Sequence, residues 1–390
     1  MKIAYVVRHY HKDGGISRYT AELAERFCRE HEVHVYTSSW LENKNVTFHE
    51  VPIMSFDALK NRKKHAWNVA FEVYSFMKAS EKIVKKKDYD ILHVQGDFVG
   101  DCDVYTAHSC HKAWLEIVNK ENLGGALERL KKSVYNPLHH FILKAEKNCI
   151  MNTRRVIAIS NGIKEEITRL YGVEDKKVKV IPNGVNIEQF NMAQRKLYRK
   201  EIRTQLGLGD DEILLIFPAH EFIRKGILKI LDAMNSLKNK RLHLLVVGRD
   251  DQTRVRDVIE HYQLESNIHF IGETSTIEKY YAASDIMVLP TLYEPFGLVI
   301  TEAMASALPV ITNKSAGAAE LIENGTDGVL LEDIKDTREL ASQIESLANN
   351  SAKREQMGVQ ARITAERYNW DAIAQRTMNL YNEILTSKRY

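Results

Sequence analysis

The chain has 390 residues, 44% of them hydrophobic and 27% charged, with a formal net charge of +3. That length exceeds what one hydrophobic core usually organises, so two domains of similar size are expected. The composition excludes a disordered or fibrous chain, and so small a net charge is not the strongly basic balance of a nucleic-acid-binding domain.

In chain order, short β-branched runs alternate with longer helical patterns: KIAYVV (2–7), EVHVYT (32–37), DILHVQ (90–95), RVIAIS (155–160) and KVKVIP (177–182). The second half repeats the rhythm with ILLIF (213–217), LHLLVVG (242–248), IHFIG (268–272), DIMVLP (285–290) and PVIT (309–312). Apolar strands separated by helices imply a parallel sheet covered on both faces, here twice, hence an α/β chain of two Rossmann-like domains. The boundary is expected after Pro182, where PNGVN (182–186) has turn chemistry. That gives domains 1–183 and 184–368, with an amphipathic final helix at about 369–390. Ligands of open α/β sheets lie beyond the carboxyl ends of the strands, so two facing sheets would share a cleft.

The four cysteines, Cys28, Cys102, Cys110 and Cys149, follow no repeated C-x-x-C spacing, so neither a disulfide framework nor a zinc ribbon is indicated. The amino-terminal apolar run is too short for a signal peptide, and no stretch approaches the ~18 apolar residues of a membrane span. A cytoplasmic, soluble protein is expected.

The stretch EPFGLVITEAMASALPVI (294–311) sets Glu294 and Glu302 in an apolar, small-residue run, and a buried carboxylate needs a partner. Pro295 favours a first helical turn, Gly297 lets a ligand approach the backbone, and a helix is expected from about Phe296 to Ala307. Its amino end suits an anion, most naturally phosphate. Eight residues at about 1.5 Å each would set the two carboxylates roughly 12 Å apart, which fits a ligand with hydroxyls on both sides of a diphosphate. The alternative is structural: a helix-start carboxylate and a buried partner to an arginine. HEFIRKGI (220–227) follows a strand and offers Arg224 and Lys225 to such a diphosphate, or else a solvated basic loop. Gly14 and Gly15 follow the first strand but do not form G-x-G-x-x-G.

Together, E-x7-E at 294–302, R-K-G at 224–226, the glycines at 14–15 and IPNGVN at 181–186 resemble family 4 of the retaining glycosyltransferases, over essentially the whole chain. The resemblance implies the GT-B fold and metal-independent, configuration-retaining transfer from a nucleotide-diphosphate sugar, without a cofactor. It implies that Glu294 holds the donor sugar, Glu302 the ribose, the amides of Phe296, Gly297 and Leu298 the sugar and diphosphate, and Arg224 and Lys225 the diphosphate. Gly14 and Gly15 would also approach the donor, and His108 in VYTAHSC would lie near the reacting sugar carbon. NW at 369–370 resembles the point where the last helix crosses back onto the first domain. Many members carry an arginine where this chain has His220. The adjacent Arg-Lys pair is closer to lipopolysaccharide-core glucosyltransferases, which implies a cell-envelope lipid or glycan acceptor, and uridine is the commoner donor base.

Two metal readings compete: D-x-D at Asp101–Asp103 as a divalent-cation motif, and Cys102, His108, Cys110 and His111 as a zinc cluster. Their positions and crowded spacing favour core residues and a site histidine. The segment 60–87 holds nine Lys or Arg against Glu72 and Glu81 around AWNVAFEVYSFM (66–77). It suits either an anionic membrane surface or a solvated helix with one buried face, and RLKKSVYNPLHHFILK (129–144) is a second element of the same kind.

Overall fold

A computed structural model describes residues 1–12, 14–54, 65–120 and 137–388. The basic residues at 60–64 and the stretch 129–136 lie outside the described residues. Seven strands form the first sheet: β1 (Lys2–Val6), β2 (Glu32–Thr37), β3 (Val46–Glu50), β4 (Ile91–Val94), β5 (Val104–Ala107), β6 (Arg155–Ala158) and β7 (Val178–Val180). Six form the second: β8 (Ile213–Pro218), β9 (Leu242–Val247), β10 (Ile268–Gly272), β11 (Ile286–Leu289), β12 (Val310–Asn313) and β13 (Val329–Leu331).

The sheet orders are β3-β2-β1-β4-β5-β6-β7 and β10-β9-β8-β11-β12-β13. Every pairing in both sheets is parallel; β1, for example, aligns Ile3 with Val33 on one side and with Ile91 on the other. Each order therefore reverses once, between β1 and β4 and between β8 and β11. These switch points open a crevice at the carboxyl ends of their strands. Helices cover both faces, which is why β9 is buried along its whole length. Within the two large sheets three strands were not read from the sequence, β3, β5 and β13, and a third, two-stranded parallel sheet, His9–Tyr10 with Ser39–Trp40, was not read either. In each case a neighbour supplies the ladder.

Contacts divide the chain into two compact units, Met1–Asn183 with Trp370–Tyr390, and Gly184–Asn369. The last helix thus belongs with the first sheet. Helix α1 (Gly15–Phe27) turns Tyr19, Leu23 and Phe27 inward at helical spacing. The final helix, Trp370–Lys388, packs beside it, with the Trp370 and Tyr19 rings 5.9 Å apart and Arg26 Nε donating to Asp371 at 2.5 Å. Beneath them runs a buried polar chain. The Tyr381 hydroxyl lies 2.6 Å from His93 Nδ1 and 3.1 Å from the Tyr5 hydroxyl, and His93 Nε2 is 2.6 Å from Thr106 Oγ1. His93 Nδ1 and the Tyr5 hydroxyl keep these partners only while the last helix is docked, whereas His93 Nε2 is held within the sheet by Thr106.

Tyr381→Phe removes the partner of His93 Nδ1 without opening a cavity. We expect a loss of about 1–3 kcal/mol in urea-induced unfolding, the cost of stranding one buried polar atom. A change within a few tenths would show that the chain is not what fastens the helix.

Candidate active site

In the second unit, both loops at the switch point carry functional side chains. After β8 the backbone passes Ala219 and His220 into a four-residue turn of helix, Phe222–Lys225, and then Gly226, which opens the helix Ile227–Leu237. Asp250 shapes this turn by accepting the Phe222 N–H at 2.6 Å. Gly226 has φ +95, and a Cβ there would lie 2.1 Å from the Pro290 carbonyl oxygen, so no other residue fits without moving the loop after β11. Leu292 N–H donates to the Arg224 carbonyl at 3.0 Å, and the Arg224 guanidinium bonds both the Tyr293 carbonyl and, at 2.7 Å, Glu221.

Glu294 is not in the helix. It lies in extended backbone, bridged to Ala316, with its N–H donating to the Ser315 carbonyl at 2.9 Å. The helix runs Leu298–Ala305 behind Gly297 (φ +94), two residues shorter at each end than the sequence suggests. Pro295 therefore precedes the first turn instead of starting it, because Glu294 and Phe296 pair with the segment at 315–318. The axial spacing expected for two carboxylates on one helix does not apply. Gly297 has a local reason as well: a Cβ would approach Glu294 Cγ and Ile300 Cδ1 at 3.1 Å each.

Each carboxylate finds a partner, and neither partner was foreseen. The Lys225 ammonium sits in direct contact with the Glu294 carboxylate. Burial, then Arg224, pulls the Lys225 ammonium down to about 7. The Glu221 charge works the other way and raises it. Glu302 is buried, and the Tyr281 hydroxyl donates to its Oε2 at 3.2 Å. Arg224, Lys225, Glu294, Phe296, Gly297, Leu298 and Glu302 thus gather on the loops and helix start following β8 and β11.

In the first unit the switch point holds a cavity of about 460 Å³, whose lining includes Arg8, Gly14, Gly15, Gln95, Asp97 and His108. Gly14 (φ +77) caps the start of α1, so the glycine pair shares its cavity with the histidine. His108 Nε2 lies 2.8 Å from Gln95 Oε1, and its ring meets Tyr19 edge-on at 4.9 Å. With Nε2–H donating to Gln95, Nδ1 is left as an acceptor. Burial lowers the His108 imidazole to about 3, so it is neutral at physiological pH. Arg8 Nε pairs with Asp97 at 3.3 Å, and Glu146 accepts the His111 N–H at 2.7 Å and a bond from the Tyr171 hydroxyl. Gln95, Asp97 and Arg8 were missed from sequence; polar residues closing apolar strands on either side of a switch point are the signal that marks them.

The metal readings fare differently in detail. Asp103 is buried, accepts the Leu92 N–H at 3.0 Å and faces Lys86 and Arg154, while Asp101 is exposed, so the two carboxylates of D-x-D do not act together. Among the described residues no group of three or more His, Cys, Asp or Glu is arranged to hold a metal ion.

Residues 13–189 match the model for Glycosyltransferase Family 4, and residues 198–364 match Glycosyl transferases group 1. The chain belongs to these glycosyltransferases. An uncharacterized glycosyltransferase, MJ1607, of Methanocaldococcus jannaschii is 27% identical over 394 residues, covering 98% of each chain. The lipopolysaccharide glucosyltransferase WaaG of Escherichia coli is 25% identical over 335 residues, 85% of each. A crystal structure of WaaG aligns with a TM-score of 0.76 at 22% identity, over 97% of this chain and 99% of that one. Anabaena HepE in complex with UDP-glucose aligns at 0.68 and 20% identity, over 99% and 100%. The fold is GT-B, with two Rossmann-like units each built on a parallel sheet.

Burial also lowers the fully buried His93 to about 3, with His108 adding to the shift. Both imidazoles should keep neutral ring shifts from pH 8 to pH 5 in an NMR titration, while exposed histidines move near 6.5. The unfolded chain binds protons below about 6.5 that folded His93 refuses, so its contribution to stability is lost as pH falls from 6.5 towards 3. A His93 or His108 midpoint near 6.5 would contradict the geometry.

Proposed function

We propose that this glycosyltransferase moves a hexose from a nucleoside-diphosphate sugar, UDP-linked, to a cell-envelope lipid or glycan, retaining anomeric configuration and using no metal. The observation that carries the donor reading is the Lys225–Glu294 pair beside Gly297 at the carboxyl ends of β8 and β11. Breaking a buried pair by deleting one partner costs about 3–5 kcal/mol, so a donor must replace each contact as it enters. A sugar diphosphate can do so: its phosphoryl oxygens take Lys225 and Arg224, and its sugar hydroxyls donate to Glu294. Glu302 takes the ribose hydroxyls, and the amides of Phe296, Gly297 and Leu298 face the sugar and diphosphate. Negative charge grows on the diphosphate as the sugar departs, and the cations stabilise that change most. The leaving phosphate then assists the acceptor hydroxyl on the same face, with neutral His108 hydrogen-bonding the transferred sugar. HepE, crystallised with UDP-glucose, supports the donor class.

The acceptor reading rests on the cavity of the first unit and on the similarity to the lipopolysaccharide glucosyltransferase WaaG. The cavity lining combines apolar Val69, Val73, Ile142 and Ala145 with polar Arg8, Asp97 and His108. An amphipathic acceptor meets both. Lys78, Lys82, Lys85 and Lys87 are exposed on and after the helix His65–Ile83, and no described helix is long and apolar enough to cross a membrane. They suit peripheral attachment to an anionic surface, at about 1 kcal/mol per cation near the interface.

The donor is tested by calorimetric titration with UDP, GDP and ADP and their sugars, with and without EDTA. UDP should bind regardless of chelator, Lys225→Ala and Glu302→Ala should weaken it about tenfold or more, and His108→Ala should spare binding while cutting transfer. Parent-like binding and turnover in all three would remove the site assignment. For the membrane reading, flotation should carry the protein with phosphatidylglycerol vesicles and not with neutral ones. Equal recovery from both would remove it.

A further inference from the structure

The opposite end of the second sheet, where β8 and β11 begin, carries a concentration of cations that the donor reading does not use. Asp285, just ahead of β11, is buried and faces three arginines of the helix Ala193–Gln205: Arg199 at 2.7 Å, Arg203 at 3.2 Å and Arg195 at 3.7 Å. Its Oδ2 also accepts the Leu214 N–H at 2.9 Å. Arg199 and Arg203 have a structural task, since they donate to the Ala283 carbonyl and so cap the helix Ile277–Ala283. Arg195 has none of that kind; a fourth guanidinium, Arg354 of the helix Ser351–Glu366, lines the same cavity while its Nη1 caps the helix Thr337–Ala348 through the Leu347 and Ala348 carbonyls at 2.6 and 2.7 Å.

Arg195, Arg199, Arg354 and Ser351 line a cavity of about 330 Å³ with Asp285 and Glu355. Counting Arg203 behind it, four guanidiniums stand against two carboxylates, one of them already engaged by Arg199, Arg203 and a backbone amide. Ser351 begins a helix of 16 residues, whose positive dipole end adds to the excess. Burial first, with Arg199 contributing, holds both Arg195 and Arg354 below their ordinary basicity. Such a cluster gains from an oxyanion that takes forked N–H bonds, and a phosphoryl group has the oxygens and the charge for it.

We propose that this cavity is a second anion site, for a phosphate or phosphomonoester, at the amino ends of the central strands, away from the donor loops. Ala307 and Pro309 also line it. They follow the helix that begins at Gly297 and carries Glu302, so the anion would sit at the far end of that helix from the donor.

The test is calorimetric titration with inorganic phosphate and with glycerol 3-phosphate at fixed ionic strength, and flotation with phosphatidate vesicles. The parent should show saturable binding that survives in Lys225→Ala and weakens about tenfold or more in Arg195→Gln, which removes one charge-assisted fork. Binding of the free phosphates identifies a small ligand; Arg195-dependent binding of the vesicles alone identifies a lipid phosphate. Glu355→Gln removes the free carboxylate from the cavity without touching the helix caps, and it should tighten binding. Absence of saturable binding, loss in Lys225→Ala alone, or indifference to both Arg195→Gln and Glu355→Gln would each overturn the proposal.

Discussion

The approach of Gly226 to the Pro290 carbonyl, where a Cβ would lie 2.1 Å from the oxygen, is the constraint on which the donor half depends. A parallel sheet delivers the ends of β8 and β11 side by side, but neighbouring strands alone leave the loops beyond them free to diverge. With no side chain in the way, the two backbones touch, and Arg224 ties them at both its carbonyl and its guanidinium. Gly248 repeats the device one strand over, with a Cβ position 2.0 Å from the Ala219 carbonyl oxygen. Lys225 and Glu294, 69 residues apart in the chain, then have no room to avoid each other.

That contact is a prepared state. Two desolvated charges that satisfy each other cost less than either alone, so the pair is stable in the place from which the proposed donor would recruit its groups. Glu302 is held differently, with a phenol among its partners. In the first unit the switch point is occupied by a neutral histidine oriented by Gln95, a group suited to hydrogen bonding and not to charge. The same topology thus carries two electrostatic characters.

Much of this was legible in the residues. Alternating strands and helices give two parallel sheets because only a strand covered on both faces reads as an unbroken apolar run. The motifs that resemble family 4 glycosyltransferases lie on the switch-point loops, and the family models match the corresponding regions. Where the reading erred, it extrapolated local rules. Pro295 and the small residues after it suit a helix from 296, yet pairing of Glu294 and Phe296 with 315–318 outcompetes one more turn. β3, β5 and β13 were passed over although strands as short, such as β7, were read; length does not separate them, and each is a strand through the parallel ladder of its neighbour.

The sequence by itself determined the class of the fold, its two large parallel sheets and the chemistry gathered at the ends of their strands, since these follow from periodicity, turn residues and side-chain type, all local properties. Only the tertiary structure decided who meets whom: Lys225 with Glu294, Tyr281 with Glu302, Gln95 with His108, four arginines around Asp285, and the last helix fastened by Tyr381 to a histidine 288 residues earlier. Those pairings depend on strand order and on backbone approaches of a few ångströms between distant segments, and no local pattern encodes a distance between residues that the chain has not yet brought together.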